Sequence, residues 1–425
     1  MSEKIITAID LGSSKICVII ASLQEKDRLE IKGVGEVESK GIENGLVKDL
    51  QATAESIKKA VQIAEEQSGL EIENIFVAIS GQHIKSKKAS GRISIAIGNQ
   101  SCEINNTHID QAINDAKNSI KRESGSDKFE ILHCIPQMYD IDSQTGILNP
   151  IGMSGYSLTI HTNIILAEST HLRNIRKAFE MGELGTPYVV LGSIATTEAV
   201  VSEDERRLGC VIIDIGEGTS ELTIYQNSYL KTYMCVPRGG ALVTHDIAIG
   251  LRTPPNSAEN IKIEFGNAVP ITVDPNKTIE VESIGGRASQ KIPLSLITDV
   301  INNRIKEILD ACYKDILSEF TRLDSLTAGV VLTGGSSLIT NIHLLVEDKN
   351  GFNLPCRIAY PDMRKISGAV SRIDSPNYTC VIGLLYYAVK NESVKNSKSK
   401  QKKKQQSNTD ISNFFKKIIK KISEL

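Results

Sequence analysis

The chain of 425 residues contains no tryptophan, and aromatic residues make up only 4% of it. Single-stranded nucleic acid is usually held on stacked aromatic platforms, so nucleic acid is not an expected partner. No CxxC pair and no Cys/His cluster occurs among the eight cysteines at 17, 102, 134, 210, 235, 312, 356 and 380. Zinc binding and a disulfide framework are therefore not expected, and reduced thiols in a cytoplasm fit better. No GxxxxGK[ST] string is present, which argues against a P-loop nucleotide site. No apolar run approaches the roughly 18 residues of a membrane span. The opening MSEKIITAID enters a strand-like run at once, without the basic-then-apolar layout of a secretory leader.

Charge is present but unevenly spread. The formal net charge is −2. Residues 391–425 carry ten lysines against Glu392, Asp410 and Glu424, a local balance of +7 that leaves −9 for residues 1–390. An acidic body thus carries a basic tail. Residues 391–410 are rich in Lys, Ser, Asn and Gln and have almost no apolar side chains, so they read as a disordered linker. Beyond them Ile411, Phe414, Phe415, Ile418, Ile419, Ile422 and Leu425 form one helical stripe, and Lys416, Lys417, Lys420 and Lys421 occupy the opposite face. Fifteen helical residues reach about 22 Å, short of the roughly 30 Å bilayer core. Such a helix can lie in an anionic membrane interface but cannot span it. Each lysine near an anionic leaflet contributes about 1 kcal/mol, so one helix binds reversibly and an array on a polymer binds firmly.

Within the body, Ile5–Ile9 and Ile16–Ala21 read as strands joined by a turn over Asp10–Lys15. Residues 51–67 read as a helix, with Ile57, Ala60, Val61 and Ala64 on one face. Ile75–Ile79 is a further strand. Residues 84–162 change character. Strand-like pieces at Arg92–Ile97 and Glu130–Cys134 flank a helical stretch at His108–Ile120, which reads as an inserted α+β subdomain. At 209–224 the opening pattern returns: an apolar strand, an Asp-x-Gly turn and a second strand. Asp10 and Asp214 lie 204 residues apart, the mark of a duplicated lobe. A third glycine turn, Thr333-Gly334-Gly335-Ser336-Ser337, follows a strand, and Asn377–Val389 reads as a closing helix.

Asp-x-Gly turns at strand ends suit phosphate chemistry. Small side chains let an anion approach, and backbone N–H groups can converge on it. Asp10 and Asp214 can hold Mg²⁺ through its waters, because Mg²⁺ sheds its hydration shell reluctantly. Gly12, Ser13, Ser14 and Lys15 belong to the first turn, with Lys15 offering a point charge. Gly216, Glu217, Gly218 and Thr219 belong to the second. Gly334, Gly335 and Ser336 would let the chain pass close to an adenosine. Two facing turns would clamp a triphosphate, so Mg-ATP is the expected ligand.

These motifs, Asp10-Leu11-Gly12-Ser13-Ser14-Lys15, Asp214-Ile215-Gly216-Glu217-Gly218-Thr219-Ser220 and Leu332-Thr333-Gly334-Gly335-Ser336, resemble the phosphate and adenosine motifs of the ATPase superfamily of actin, heat-shock chaperones and sugar kinases. Ala258-Glu259-Asn260-Ile261-Lys262 is similar to the helix in bacterial actin relatives whose Glu and Lys touch ribose and adenine, which adds Glu259 and Lys262, with Gly240, to the expected ATP site. The resemblance implies an α/β fold of two duplicated actin-like (ribonuclease H-like) lobes, with the inserted subdomain in lobe 1 and the amphipathic helix at the C-terminus. Three features resemble the FtsA family of bacterial division proteins: the position of the insertion; the strings Val77-Ala78-Ile79-Ser80-Gly81, Asn149-Pro150-Ile151-Gly152-Met153-Ser154-Gly155 and Thr253-Pro254-Pro255-Asn256-Ser257-Ala258-Glu259; and the tail helix.

That resemblance implies a lobe 1 core at 1–83 and 163–194 completed by 375–390, an inserted subdomain at 84–162, a lobe 2 core at 195–243 and 306–374, and a smaller subdomain at 244–305. It implies a structural protein that polymerises on the cytoplasmic face of the membrane at the septum. There it tethers the tubulin-like FtsZ ring and recruits later division proteins. The FtsZ C-terminal tail would dock on 244–305 and the adjoining helix, where Arg304 and Glu307 match the docking surface. Two positions depart from the family pattern. Glu217 replaces a glycine in the second phosphate turn, and Gly192-Ser193 stands where many relatives carry Glu-Pro, whose Glu positions the attacking water. Hydrolysis needs an oriented water, so ATP binding with slow or no turnover is expected. A pilus-assembly or MreB-like scaffold, or a kinase or chaperone-type ATPase on the same fold, are the alternatives. The inserted subdomain argues against the MreB type.

Overall fold

The computed structural model describes residues 3–124, 128–320, 323–370 and 373–391. The tail stripe from Ile411 to Leu425 and residues 392–410 of the linker before it lie outside these residues.

Two sheets organise the body. In the first, the strands run in the order Tyr188–Leu191, Ile75–Ile79, Lys4–Leu11, Lys15–Leu23, Leu29–Glu38 and Ile366–Gly368. In the second the order is Cys356–Ile358, Val330–Thr333, Cys210–Ile215, Ser220–Gln226 and Tyr229–Val236. Each sheet has the same plan: a three-stranded antiparallel meander continued by parallel strands. Lys4–Leu11 and Cys210–Ile215 are nearly continuous apolar runs because both faces are covered.

On the first sheet lies helix Leu50–Ser68, capped by Asp49 and ended by Gly69 in the left-handed conformation. Its approach is set by two glycines in Leu29–Glu38. A Cβ at Gly35 would stand 1.9 Å from the Ala60 carbonyl oxygen, and one at Gly33 would stand 2.2 Å from that of Ala64. Helices Gly192–Val200 and 379–391 cross in contact. A Cβ at Gly383 would stand 1.8 Å from the Ala195 oxygen. Their apolar side chains join a core that holds Ile9, Ile79 and Leu385 from one side and Ile212, Tyr225 and Val331 from the other. The lobes are therefore packed on each other across these helices.

The inserted unit is a four-stranded antiparallel sheet. Its order is Gln144–Ile147, Phe129–Ile141, Ser157–Glu168, Ile84–Ser94, with helix Asn106–Ser124 packed on it around its own small core. The strands are longer than their local patterns suggest, because cross-strand pairing recruits half-polar stretches such as Ile84–Ala89. Asn163 donates to the Leu230 and Lys231 carbonyls and so ties this sheet to the second lobe. On lobe 2, helices Gly240–Leu251 and Pro255–Phe265, the hairpin Thr278–Val281 with Gln290–Pro293, and helix Leu294–Glu319 form a second core around Ile247, Ile261, Ile301 and Ile305.

Candidate functional site

Both Asp-x-Gly turns close in the same way. The Gly12 N–H donates to the Lys15 oxygen at 3.1 Å, and the Gly216 N–H donates to the Thr219 oxygen at 2.9 Å. Those two amides are spent on turn geometry. The amides of Ser13, Ser14, Glu217 and Gly218 meet no protein acceptor among the described residues. The turns abut: a Cβ at Gly218 would stand 2.6 Å from Asn44 Oδ1 and 3.0 Å from Ser13 Oγ. They open on one cavity of about 510 Å³, within the usual range for a small-molecule site.

Asp10, Gly12, Ser13, Ser14, Lys15, Asp214, Gly216, Glu217, Gly218, Thr219, Glu259, Lys262, Gly334, Gly335 and Ser336 all line that cavity. Gly240 backs it, since its N–H donates to the Gly216 oxygen and a Cβ there would stand 2.3 Å from Ser336 Oγ. Gly334 has φ +85, and a Cβ on it would stand 2.3 Å from Asp214 Oδ1. Only glycine satisfies both the left-handed backbone and this approach.

Asp10 and Asp214 sit at the ends of the two central strands. Burial, and then the nearby Asp10, push the Asp214 carboxyl up to about 7, and burial raises Asp10 as well. Thr196 Oγ1 donates to Asp214 Oδ2 at 3.3 Å, and Cys380 Sγ donates to Asp10 Oδ1 at 3.4 Å. Two carboxylates driven together in a low-dielectric cleft fit a divalent cation held largely by water and phosphate oxygens. No cluster of three or more His, Cys, Asp or Glu that could hold a metal occurs among the described residues.

The remaining charges are already engaged. Lys15 Nζ pairs with Glu36 at 2.9 Å and lies 3.5 Å from the Tyr378 ring centre. Lys262 Nζ donates to Glu259 at 2.7 Å and to Thr244 at 2.9 Å. Both residues wall the cavity. Glu217 is on the wall too, hydrogen-bonded by Ser14. Burial and then Glu259 push its carboxyl up from the ordinary value. Arg304 and Glu307 lie elsewhere, on helix Leu294–Glu319. Arg304 grips Asp246 with two bonds of 2.6 and 2.9 Å, and Glu307 joins Arg304 to Arg238.

Glu221, Thr196, Asn377, Tyr378 and Cys380 line the cleft or bond its aspartates and lie outside the expected site residues. Glu221 was findable, because it follows Asp214 by seven residues as Cys17 follows Asp10. The others reach the cleft only when helices Gly192–Val200 and 379–391 pack between the lobes.

The chain matches the family model "Cell division protein FtsA" over residues 211–383, and the model of the SHS2 domain inserted in FtsA over residues 81–166. It is 35% identical over 390 residues to the cell division protein FtsA of Neisseria meningitidis serogroup B, covering 92% of this chain and 91% of that protein. The chain belongs to the FtsA family. The Escherichia coli K12 FtsA is 30% identical over 391 residues, covering 91% of this chain and 90% of its own length. The chain is therefore a cell-division protein with an actin-like fold, and its inserted sheet is the SHS2 domain. The fold is shared with the PilM–PilN type IV pilus biogenesis complex (TM-score 0.63, 13% identity, 90% of this chain and 98% of that one). It is shared also with MreB5 of Spiroplasma citri bound to ADP (TM-score 0.53, 14% identity, 92% of this chain and 99% of that one). No helix among the described residues is long and apolar enough to cross a membrane.

Proposed function

We propose that this protein binds Mg-ATP between its lobes, polymerises, and links the FtsZ ring to the inner face of the membrane at the septum. The observation that supports it best is the pair of matching turns, each with a half-buried aspartate and free amides, converging on one cavity from two copies of one fold. The amides of Ser13, Ser14, Glu217 and Gly218 would receive phosphate oxygens. Asp10 and Asp214 would hold Mg²⁺ through water, and the cation would neutralise the charge gathered on the phosphates. Gly334, Gly335 and Ser336 would lie beside the adenosine, with Glu259 and Lys262 at its ribose and base. Nucleotide gripped by both lobes would fix their relative position and so favour one polymer-competent shape.

In this reading, Ile411, Phe414, Phe415, Ile418, Ile419, Ile422 and Leu425 enter the membrane interface while Lys416, Lys417, Lys420 and Lys421 meet anionic headgroups. Residues 84–162 face later division proteins. The FtsZ tail docks on 244–305 and the following helix around Arg304 and Glu307. A pull-down tests the division role. A peptide of the FtsZ C-terminal tail is expected to retain the chain truncated after Lys390, while that truncated chain is lost from anionic liposomes. Failure to retain it would remove the FtsZ link.

A further inference from the structure

A second cavity, of about 420 Å³, lies between the inserted sheet and lobe 2, apart from the cleft and within the usual range for a small molecule. Strand Ile84–Ser94 turns Gly91 toward helix Asn106–Ser124, where a Cβ would stand 2.1 Å from the Ala112 oxygen. Alternation along the strand therefore sends Lys88 and Ser90 to the opposite face. His161 stands opposite Ser90 in register, and Asn163 opposite Lys88. Asn163 donates to the Lys231 carbonyl at 3.1 Å, which brings Lys231 of lobe 2 to the same cavity.

Two ammonium groups thus face one space from two sides. Burial, and then Lys88, hold the Lys231 ammonium below its ordinary value. Neither lysine is in an ion pair among the described residues, and the Tyr229 ring, 5.8 Å from Lys231 Nζ, is a weak partner. Asp140 is engaged by His161 Nε2 at 2.6 Å, and His161 Nδ1 shares a 2.9 Å bond with Ser90. Two like charges left unmatched cost stability that a bound anion would restore. Lysine offers a compact point charge with three donors, which suits phosphate. A phosphate monoester carries about −1.5 to −2 at pH 7 and so matches two lysines, where a carboxylate brings about half as much. The space is larger than a phosphate alone needs, and Ser90, Gln137 and Thr162 add polar wall.

We propose that this cavity binds the phosphate monoester of a small, polar, soluble molecule, with Lys88 and Lys231 on the phosphate and Ser90 and Gln137 beside its carrier. Because Lys88 belongs to the inserted unit and Lys231 to lobe 2, an occupied site ties the two together.

The test follows the His161 ring signal of the full chain by NMR, assigned by its loss in His161→Gln. Inorganic phosphate and glycerol 3-phosphate are titrated against sodium chloride of equal ionic strength. Both phosphates are expected to shift the signal saturably, and the chloride is not. Lys88→Gln and Lys231→Gln should each raise the half-saturating concentration at least about tenfold, as loss of one charge-assisted bond does. Full-chain binding to vesicles containing phosphatidic acid should be equal in wild type and in the double variant. The proposal is overturned if neither phosphate moves the signal beyond the chloride control, or if both single variants respond as wild type does. A double variant that binds the vesicles more weakly would overturn the soluble carrier in favour of a lipid headgroup.

Discussion

The two phosphate-type turns share one backbone and differ in what surrounds it. Asp10 pairs across the hairpin with Cys17 and along the parallel neighbour with Ala78. Asp214, at the matching place, pairs with Glu221 and Thr333. Lobe 1 thus lines its aspartate with small or apolar groups and a thiol, while lobe 2 supplies a second acid and two threonines. Duplication preserved the strand–turn–strand geometry, which hydrogen bonds within the turn enforce. Side chains facing the cleft were free to diverge, because each lobe's core lies on other faces. The difference teaches that the lobes share one turn geometry, the basis of the proposed grip on phosphate, while lobe 2 alone places a second acid beside its aspartate.

The largest effect expected is on that shared grip. Asp214→Ala should weaken Mg-ATP binding at least about 100-fold in calorimetry, as removal of a cation-holding carboxylate does. Asp10→Ala should lose a similar amount; unaltered affinity in either variant would make the clamp one-sided. Gly334→Ala should come next. A left-handed alanine costs about 1–2 kcal/mol, and its methyl would strike Asp214. The melting temperature should therefore fall and nucleotide binding with it, and unchanged binding would break the argument from close approach.

The acids of lobe 2 also have a pH signature. Burial holds Asp214 near 7 and, with Asp214 beside it, Glu221 up to about 8, above the free carboxyl values of about 4. The folded protein keeps protons that the unfolded chain has released. Their contribution to stability is therefore present in acid and lost as pH rises through 7 to 8. His83 and His133, lowered to about 4 by burial, act with the opposite sign but only below about 6.5. Without nucleotide, the unfolding free energy from urea titration should fall by about 2 kcal/mol between pH 6.5 and 8.5. Asp214→Asn with Glu221→Gln should flatten that slope, and a slope equally steep in the double variant would contradict it.

The smallest effect separates the cleft from the outer helix. Arg304→Ala removes a partly exposed ion pair and should cost under about 1 kcal/mol of stability. Mg-ATP affinity should not change, while retention by an FtsZ tail peptide weakens. Loss of ATP binding would mean that the two surfaces are coupled.

The repeat was legible because its signal is local. An apolar strand, a small-residue turn and a second strand are written in consecutive residues at 5–21 and 209–224, and sterics allow them few conformations. The glycines at 33, 35 and 383 carry no such signal, because their reason lies in a helix that arrives from a distant part of the chain. Boundaries slipped where pairing extended the strands, as at Ile84–Ser94, and where the helix expected from Asn377 begins at residue 379 behind the short turn Pro376–Tyr378.

By itself, then, the sequence determined the duplicated α/β class, the two aspartates and the glycine turn at Gly334, each a pattern of neighbours in the chain. The tertiary structure decided what meets in the cleft. Lys15 turned to Glu36 and Tyr378, Cys380 reached Asp10 across 370 residues, and Glu221 came to lie beside the side-chain-less Gly192. Such contacts depend on how two sheets close around two crossing helices, a packing that no single stretch of residues encodes.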